Sequence, residues 1–321
     1  MTKNIRARKQ EEEMFSIIVP TFNEVENISK CLNSILNQDF PREKFEVIVV
    51  DNGSKDHTLE TASKFSEIYT YHKPGVNVGA VRNYGASRAT GSILVFVDGD
   101  CVLDHCWLQR AQLLLRMHPD SVFGGAAKLP HNPKWIERYW LLEKNGLPTL
   151  PKNLIGASIV IRKTIFDEVK GFNDAVTAGE DSKLHQDLER IGVPVKICHD
   201  LDVVHLGNAK TVKDFLRRQM WQAENYRTSL KNVRNDKIFW ATLFYGLSSF
   251  FGLSFLIYGS EHAMLTILTT QLPAASLTFK RLIRINLFPR SPIFYFSCLV
   301  MDNLYLVGRV AGLVLGPAKK K

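Results

Sequence analysis

An uninterrupted apolar run, Ile93-Leu94-Val95-Phe96-Val97, ends in Asp98-Gly99-Asp100. A β-rich run without polar alternation reads as a strand covered on both faces, the habit of parallel sheets flanked by helices. Two carboxylates a residue apart repel one another and are costly to bury, so a pair at a strand's end points to a neutralising cation. Mn²⁺ or Mg²⁺, which take oxygen ligands, fits that place. A solvated Asp-Gly-Asp turn is the other reading.

Two further β-rich runs, Phe15-Ser16-Ile17-Ile18-Val19 and Phe45-Glu46-Val47-Ile48-Val49-Val50, also stop at polar clusters. These are Pro20-Thr21-Phe22-Asn23-Glu24 and Asp51-Asn52-Gly53-Ser54. After Asn23, apolar residues at Val25, Ile28, Leu32, Ile35 and Leu36 share one helical face, and Asn23 and Glu26 are spaced as a capping box. The β-α-β-α alternation predicts an α/β fold with a doubly wound, mostly parallel sheet. Its ligand would lie in the crevice beyond the strands' carboxyl ends, where Asp51, Asp98 and Asp100 converge.

The strings SIIVPTFNEVENISKCLNSIL, EVIVVDNGSKDHT, NVGAVRNYG, ILVFVDGDC and GEDSKLHQDLERIG, in this order, resemble a family 2 glycosyltransferase of the GT-A type, of the membrane-attached bacterial and archaeal kind. The resemblance covers roughly residues 14 to 229. It implies that Asp51 and the turn Pro20, Thr21, Asn23 and Glu24 hold the nucleotide base and ribose. Asn77, Gly79, Arg82 and Gly99 would line the same nucleotide-sugar pocket, and Asp98 and Asp100 would hold a metal on the diphosphate. The residue types suit those jobs. An Asp accepts the ring N–H of a uracil, Gly79 admits close backbone approach, and Arg82 offers a planar fork to phosphate or ribose. Arg82 could instead pair with a local carboxylate.

Glu180 and Asp181 open a helical stretch, Ser182 to Arg190, where capping and dipole effects alone favour carboxylates. The resemblance implies that Asp181 is the general base that deprotonates an acceptor hydroxyl in an inverting transfer, with Glu180 positioning the acceptor. His205 follows the run Leu201-Asp202-Val203-Val204. A structural histidine is one reading there. The other, implied by the resemblance, is a third metal contact or a contact to the diphosphate. Lys210 to Leu230 reads as a helix with a basic side: Lys210, Lys213, Arg217, Arg218 and Arg227, with Trp221 among them. Processive members of the family carry QxxRW at this distance. Here Arg217-Arg218-Gln219-Met220-Trp221 keeps only the Trp, which favours addition of a single sugar, with Arg217, Arg218 and Trp221 facing acceptor or diphosphate.

After Lys237 the composition changes. Ile238 to Ser260 has no charged side chain, long enough to span a bilayer, and Ala263 to Phe279 is a shorter uncharged stretch. The pair reads as a transmembrane hairpin over 238–279, with the basic flanks, Lys210 to Lys237 and Lys280 to Arg290, on the cytoplasmic side. Ser291 to Gly316 is apolar but carries Asp302 and Arg309, and a full crossing would export Lys319-Lys320-Lys321; an interfacial or re-entrant helix is expected. Buried helices of a soluble second domain are the alternative.

The expected division is therefore a polar tail (1–13), a GT-A domain (14–237), the hairpin (238–279), and a basic loop with an interfacial helix and basic tail (280–321). A formal charge of +9 over 321 residues suits an anionic cytoplasmic leaflet, and no nucleic-acid-binding module is recognisable. Five scattered cysteines fit reduced thiols, and residues 1–13 have no signal-peptide core. The expected partners are a nucleotide-sugar donor, a lipid-linked saccharide or polyprenyl phosphate acceptor, the membrane, and other enzymes of the same pathway. Beside single-sugar transfer from a UDP-sugar to a lipid-linked hydroxyl stand two alternatives: a polyprenyl-phosphate glycosyltransferase and a non-catalytic sugar-nucleotide-binding membrane subunit.

Overall fold

The computed structural model describes residues 13–176, 178–223, 226, 236–259, 261–288 and 290–316. Arg227 and the Lys319-Lys320-Lys321 tail lie outside the described residues. The chain forms two compact units. One comprises residues 1–127 and 150–207, the other 128–149 and 208–321. The expected boundary at 237 thus falls inside the second unit.

In the first unit, among the described residues, a seven-stranded sheet runs in the order Val195–Ile197, Val122–Gly124, Ile159–Arg162, Ile93–Phe96, Phe15–Thr21, Phe45–Asp51, Tyr69–His72. Phe15–Thr21 pairs in parallel with both Phe45–Asp51 and Ile93–Phe96. Ile159–Arg162 runs antiparallel to both its neighbours, which makes the sheet mixed but mostly parallel. The two-faced burial expected of the apolar runs follows from this covering. Phe15, Ile17, Val19, Val47, Val49, Ile93 and Val95 pack with Ile28, Leu32, Ile35, Trp107 and Leu108 on one side. On the other, Ile18, Ile48, Val50, Leu94 and Phe96 pack with Val81, Leu184 and Leu188. The chain turns outward in both directions from Phe15–Thr21, so the switch point lies beside Asp98, where open α/β sheets take their ligands.

The first helix is shorter than its apolar pattern. It spans Ile28–Leu36, with Val25 and Glu26 exposed in the preceding turn. Asn23 does not cap it. That residue has φ +56°, and its Oδ1 accepts from Lys55 N at 2.8 Å, so the chain bonds across to the next loop; the helix instead begins on Glu24 O, which accepts from Asn27 N and Ile28 N.

In the second unit, helices span Trp135–Trp140, Val212–Gln222, Lys237–Ile257, Ala263–Arg284 and Pro292–Leu315. Lys280, Arg281 and Arg284 belong to the end of the fourth of these, so the expected basic loop begins only at Ile285. Two helices, Lys237–Ile257 and Pro292–Leu315, are long and apolar enough to cross a membrane by length and composition. Asp302 does not interrupt the latter. It is buried, accepting from Arg281 Nη1 and Thr278 Oγ1 at 2.7 Å each. Arg309 donates to the Gln222 carbonyl and Oε1 at 3.0 and 2.8 Å.

Candidate active site

Asp51 ends its strand buried. Its Oδ2 accepts from Gly53 N at 2.9 Å and Ser54 N at 3.0 Å, its Oδ1 accepts from the Ser54 hydroxyl, and His72 Nδ1 lies 3.1 Å away. Gly53 makes the turn with φ +84°, a conformation other L residues adopt at a cost. The preceding loop is knitted onto this one. Asn23 N donates to Ser54 Oγ at 2.9 Å, Glu24 N to Thr58 Oγ1 at 2.7 Å, and Asn52 N to Thr21 O at 2.9 Å. Gly99 N reaches Pro20 O at 3.3 Å, so three strand ends are fixed as one surface. Thr21 Oγ1 is buried with no hydrogen-bond partner among the described residues, and a Cβ on Gly99 would stand 3.1 Å from it.

Asn77 and Gly79 are occupied by the protein itself. Asn77 caps the Val78–Arg88 helix by accepting from Ala80 N at 2.9 Å, and its amide donates to the Asp174 carbonyl. At Gly79 a Cβ would lie 3.1 Å from Asn173 O. That helix carries Arg82 into the interior at 3% exposure. Its Nη1 donates to Glu180 Oε1 and its Nη2 to Asp98 Oδ1, both at 2.6 Å. The guanidinium lies 5.4 Å from the centre of the Phe172 ring, and a Cβ on Gly156 would fall 2.1 Å from Nη2. The fork expected to meet a phosphate or ribose is thus engaged by carboxylates. Those charges hold the guanidinium more firmly protonated than usual against the burial that opposes it.

Glu180 and Asp181 form the first turn of the Glu180–Arg190 helix, entered through Gly179 at φ +82°. Glu180 is buried. Asp181 accepts from Gly156 N at 3.1 Å and Ser182 N at 2.7 Å. Burial first, and then the Glu180 charge, raise its pKa above the usual 3.8, against the lowering by Arg82 and the two amides. A carboxylate with a raised pKa suits a base that must take a proton and give it up.

Asp100 and His205 meet where Cys101–Leu103 pairs antiparallel with Val203–His205. Asp100 Oδ2 stands 3.6 Å from His205 Nε2. With Cys101 they form a cluster whose ligand atoms lie within 4.8 Å of one another. Burial, then Asp100 and Asp98, push the Cys101 thiol well above its ordinary range. The remaining oxygen and nitrogen donors suit Mn²⁺ or Mg²⁺. Asp98, expected in the same set, faces Arg82 here. A Cβ on Gly207 would stand 1.9 Å from Asp100 Oδ2.

Arg217, Arg218 and Trp221 lie on the Val212–Gln222 helix of the second unit, with Arg218 exposed and Arg217 Nη1 4.0 Å from Asp214 Oδ1. Asp56, Thr58, Gly156, Phe172 and Gly207 were not singled out by sequence. Asp56-His57-Thr58 ahead of an apolar residue carries a helix-start signal, and Thr58 N does donate to Asp56 Oδ1 at 3.1 Å. The other three act only through contacts distant in sequence.

Residues 16–169 match the model of the family described as glycosyl transferase family 2. The glycosyltransferase AglE of Haloferax volcanii is 30% identical over 214 residues, 64% of this chain and 70% of the relative. A Methanococcus voltae protein named as a dolichyl N-acetyl-α-D-glucosaminyl phosphate 3-β-D-2,3-diacetamido-2,3-dideoxy-β-D-glucuronosyltransferase is 33% identical over 86 residues, 25% of this chain and 27% of that one. Among solved structures, the mannosyltransferase PcManGT from Pyrobaculum calidifontis, in complex with GDP-Man and Mn²⁺, aligns at TM-score 0.59 and 19% identity. The alignment covers 95% of this chain and 88% of that one, a likeness of fold.

Proposed function

The chain belongs to glycosyl transferase family 2, and from that membership we propose that it transfers one sugar, with inversion, from a nucleotide-sugar to a hydroxyl of a lipid-linked acceptor. It is a glycosyltransferase by family. A UDP-sugar is the donor class that suits Asp51, whose carboxylate ends the strand beside the Pro20–Glu24 loop. The observation that carries the reading is Asp181, a half-buried carboxylate with raised pKa, next to Glu180 and Arg82. In this role it takes the proton of the attacking hydroxyl while Glu180, held by Arg82, fixes the turn on which it sits. A phosphate acceptor is already anionic and has no use for such a base, which favours a saccharide hydroxyl over polyprenyl phosphate.

Asp98, Asp100 and His205 would hold Mn²⁺ or Mg²⁺, which when bound neutralises the diphosphate leaving group. Arg82 Nη2 holds Asp98 Oδ1 at 2.6 Å. The lipid-linked acceptor is supported by the name of the Methanococcus voltae relative and by the apolar helices of the second unit. In this reading Lys237–Ile257 and Ala263–Arg284 form a membrane hairpin whose basic ends face the cytoplasm.

The test is transfer of radiolabelled sugar from UDP- and GDP-sugars to a polyprenyl-linked saccharide in detergent with Mn²⁺. Organic-extractable label that disappears with EDTA and with Asp181→Asn is expected. Protein that binds a nucleotide-sugar but neither transfers nor hydrolyses it would instead be a non-catalytic subunit.

A further inference from the structure

Three ligand-bearing side chains outside the site described above come together on the first unit. Asp39 follows the Ile28–Leu36 helix, and His105 and Cys106 lead into the Trp107–Met117 helix. Their ligand atoms all lie within 4.8 Å of one another, with Cys106 Sγ 3.8 Å from His105 Nδ1. A tetrahedral Zn²⁺, with bonds of about 2.3 Å to sulfur and about 2.0 Å to nitrogen, would set those two atoms roughly 3.5 Å apart. Only a small closing movement separates the two geometries. Asp39 and His105 are exposed and Cys106 is half-buried, so an ion can reach all three and keep a water in its fourth position.

The two loops are fastened to each other by the protein alone. Asp39 N donates to His105 O at 3.0 Å, and buried Gln38 donates to Asp104 O at 2.7 Å while its Oε1 accepts from Leu108 N at 2.9 Å. Gln109 Nε2 donates to Asp39 Oδ2 at 3.1 Å and so orients the carboxylate, as the outer partners of metal ligands do. The nearby cation, Arg110, is turned to Asp104 Oδ1 at 2.7 Å. This donor set differs in kind from Asp100 and His205. A thiolate beside an imidazole selects Zn²⁺ over Mg²⁺ or Mn²⁺. The extended chain carries Asp104 roughly 13 Å from Asp100 at about 3.3 Å per residue, too far for one ion to serve both places.

We propose that Asp39, His105 and Cys106 bind one Zn²⁺, which clips the end of the Ile28–Leu36 helix to the start of the Trp107–Met117 helix. As the sulfur–zinc bond forms, the Cys106 thiol gives its proton to solvent. Full-length protein in detergent, reduced and stripped of metal, is titrated with Co²⁺ and then with Zn²⁺. One equivalent of Co²⁺ is expected to raise the near-ultraviolet charge-transfer band of a cobalt–thiolate bond, and Zn²⁺ to bleach it. The band should vanish in His105→Ala and in Cys106→Ser, a change that leaves a favoured N-cap residue at the helix start. It should persist in Cys101→Ser. Asp39→Asn should weaken Zn²⁺ binding roughly tenfold or more, since even outer partners of a zinc site are worth that much. A native protein that gives no band and binds no Zn²⁺ would overturn the proposal, as would unchanged Zn²⁺ affinity in Asp39→Asn. A band that survives Cys106→Ser and is lost in Cys101→Ser would place the ion with Asp100 and His205 and overturn it equally.

Discussion

Arg82 and Glu180 stand 98 positions apart in the chain and 2.6 Å apart in the fold, and the same guanidinium holds Asp98 at 2.6 Å with its other nitrogen. The Asp-Gly-Asp strand end and the Glu180–Asp181 helix start are thereby tied through one buried cation. Three carboxylates, Asp98, Glu180 and Asp181, surround it. One guanidinium cannot neutralise three acids, so the site keeps an excess of negative charge that a divalent cation would offset.

Replacing that cation should be costly in proportion to what it leaves unpaired. Arg82→Gln strands buried Glu180, and breaking one partner of a buried pair costs about 3–5 kcal/mol. Arg82→Lys keeps the charge but not the fork and should recover part of the loss. Urea unfolding followed by near-UV circular dichroism measures both. An Arg82→Gln protein as stable as the native one would mean that the two ion pairs contribute nothing net.

Asp181 makes a prediction of opposite sign. Its folded pKa is raised above 3.8 by burial and by Glu180, so between those two values the folded state holds a proton that the unfolded chain has lost. Stability therefore falls as pH rises through that window, and the deficit persists at neutral pH. Asp181→Asn should melt higher than the native protein at pH 7, with the advantage gone below 3.8, while turnover drops roughly 100-fold or more. Equal melting temperatures at pH 7 would show that this carboxylate is not strained. Transfer by the native enzyme should fall off on the acid side at a pH above the usual aspartate range, which a pH–rate profile reads directly.

The strands and their polar ends were legible because an apolar run such as Ile93–Val97 can be buried on both faces in few ways. Asp100 and His205 were legible as residue types fit for a metal, although Cys101, the third member of their cluster, was not. What escaped was whatever depends on pairing across the fold. Asn23 looked like a helix cap until Lys55 took its side chain. The antiparallel Ile159–Arg162 strand carries no local sign of its direction. Gly156 and Gly207 look like ordinary loop glycines, and only the positions of Arg82 and Asp100 show why no side chain fits.

Gly207 offers the most specific check of the proposed metal site. Its backbone does not need a positive φ, so alanine is conformationally acceptable, and the substitution acts through Asp100, whose Oδ2 would meet the new Cβ at 1.9 Å. The carboxylate must swing away, or the loop must shift at about 1–3 kcal/mol, the usual range for overpacking. Gly207→Ala should therefore weaken Mn²⁺-dependent binding of UDP by roughly tenfold or more, about 1.4 kcal/mol per factor of ten. Far-UV circular dichroism and metal-free nucleotide binding should stay as in the native protein. Asp100→Asn should show the same pattern. Because both changes strike one carboxylate, the double variant should bind no worse than the weaker single one, the non-additivity of residues in contact. If the two losses instead multiply, Gly207 matters for something other than Asp100, and the geometry read at this corner of the site is wrong.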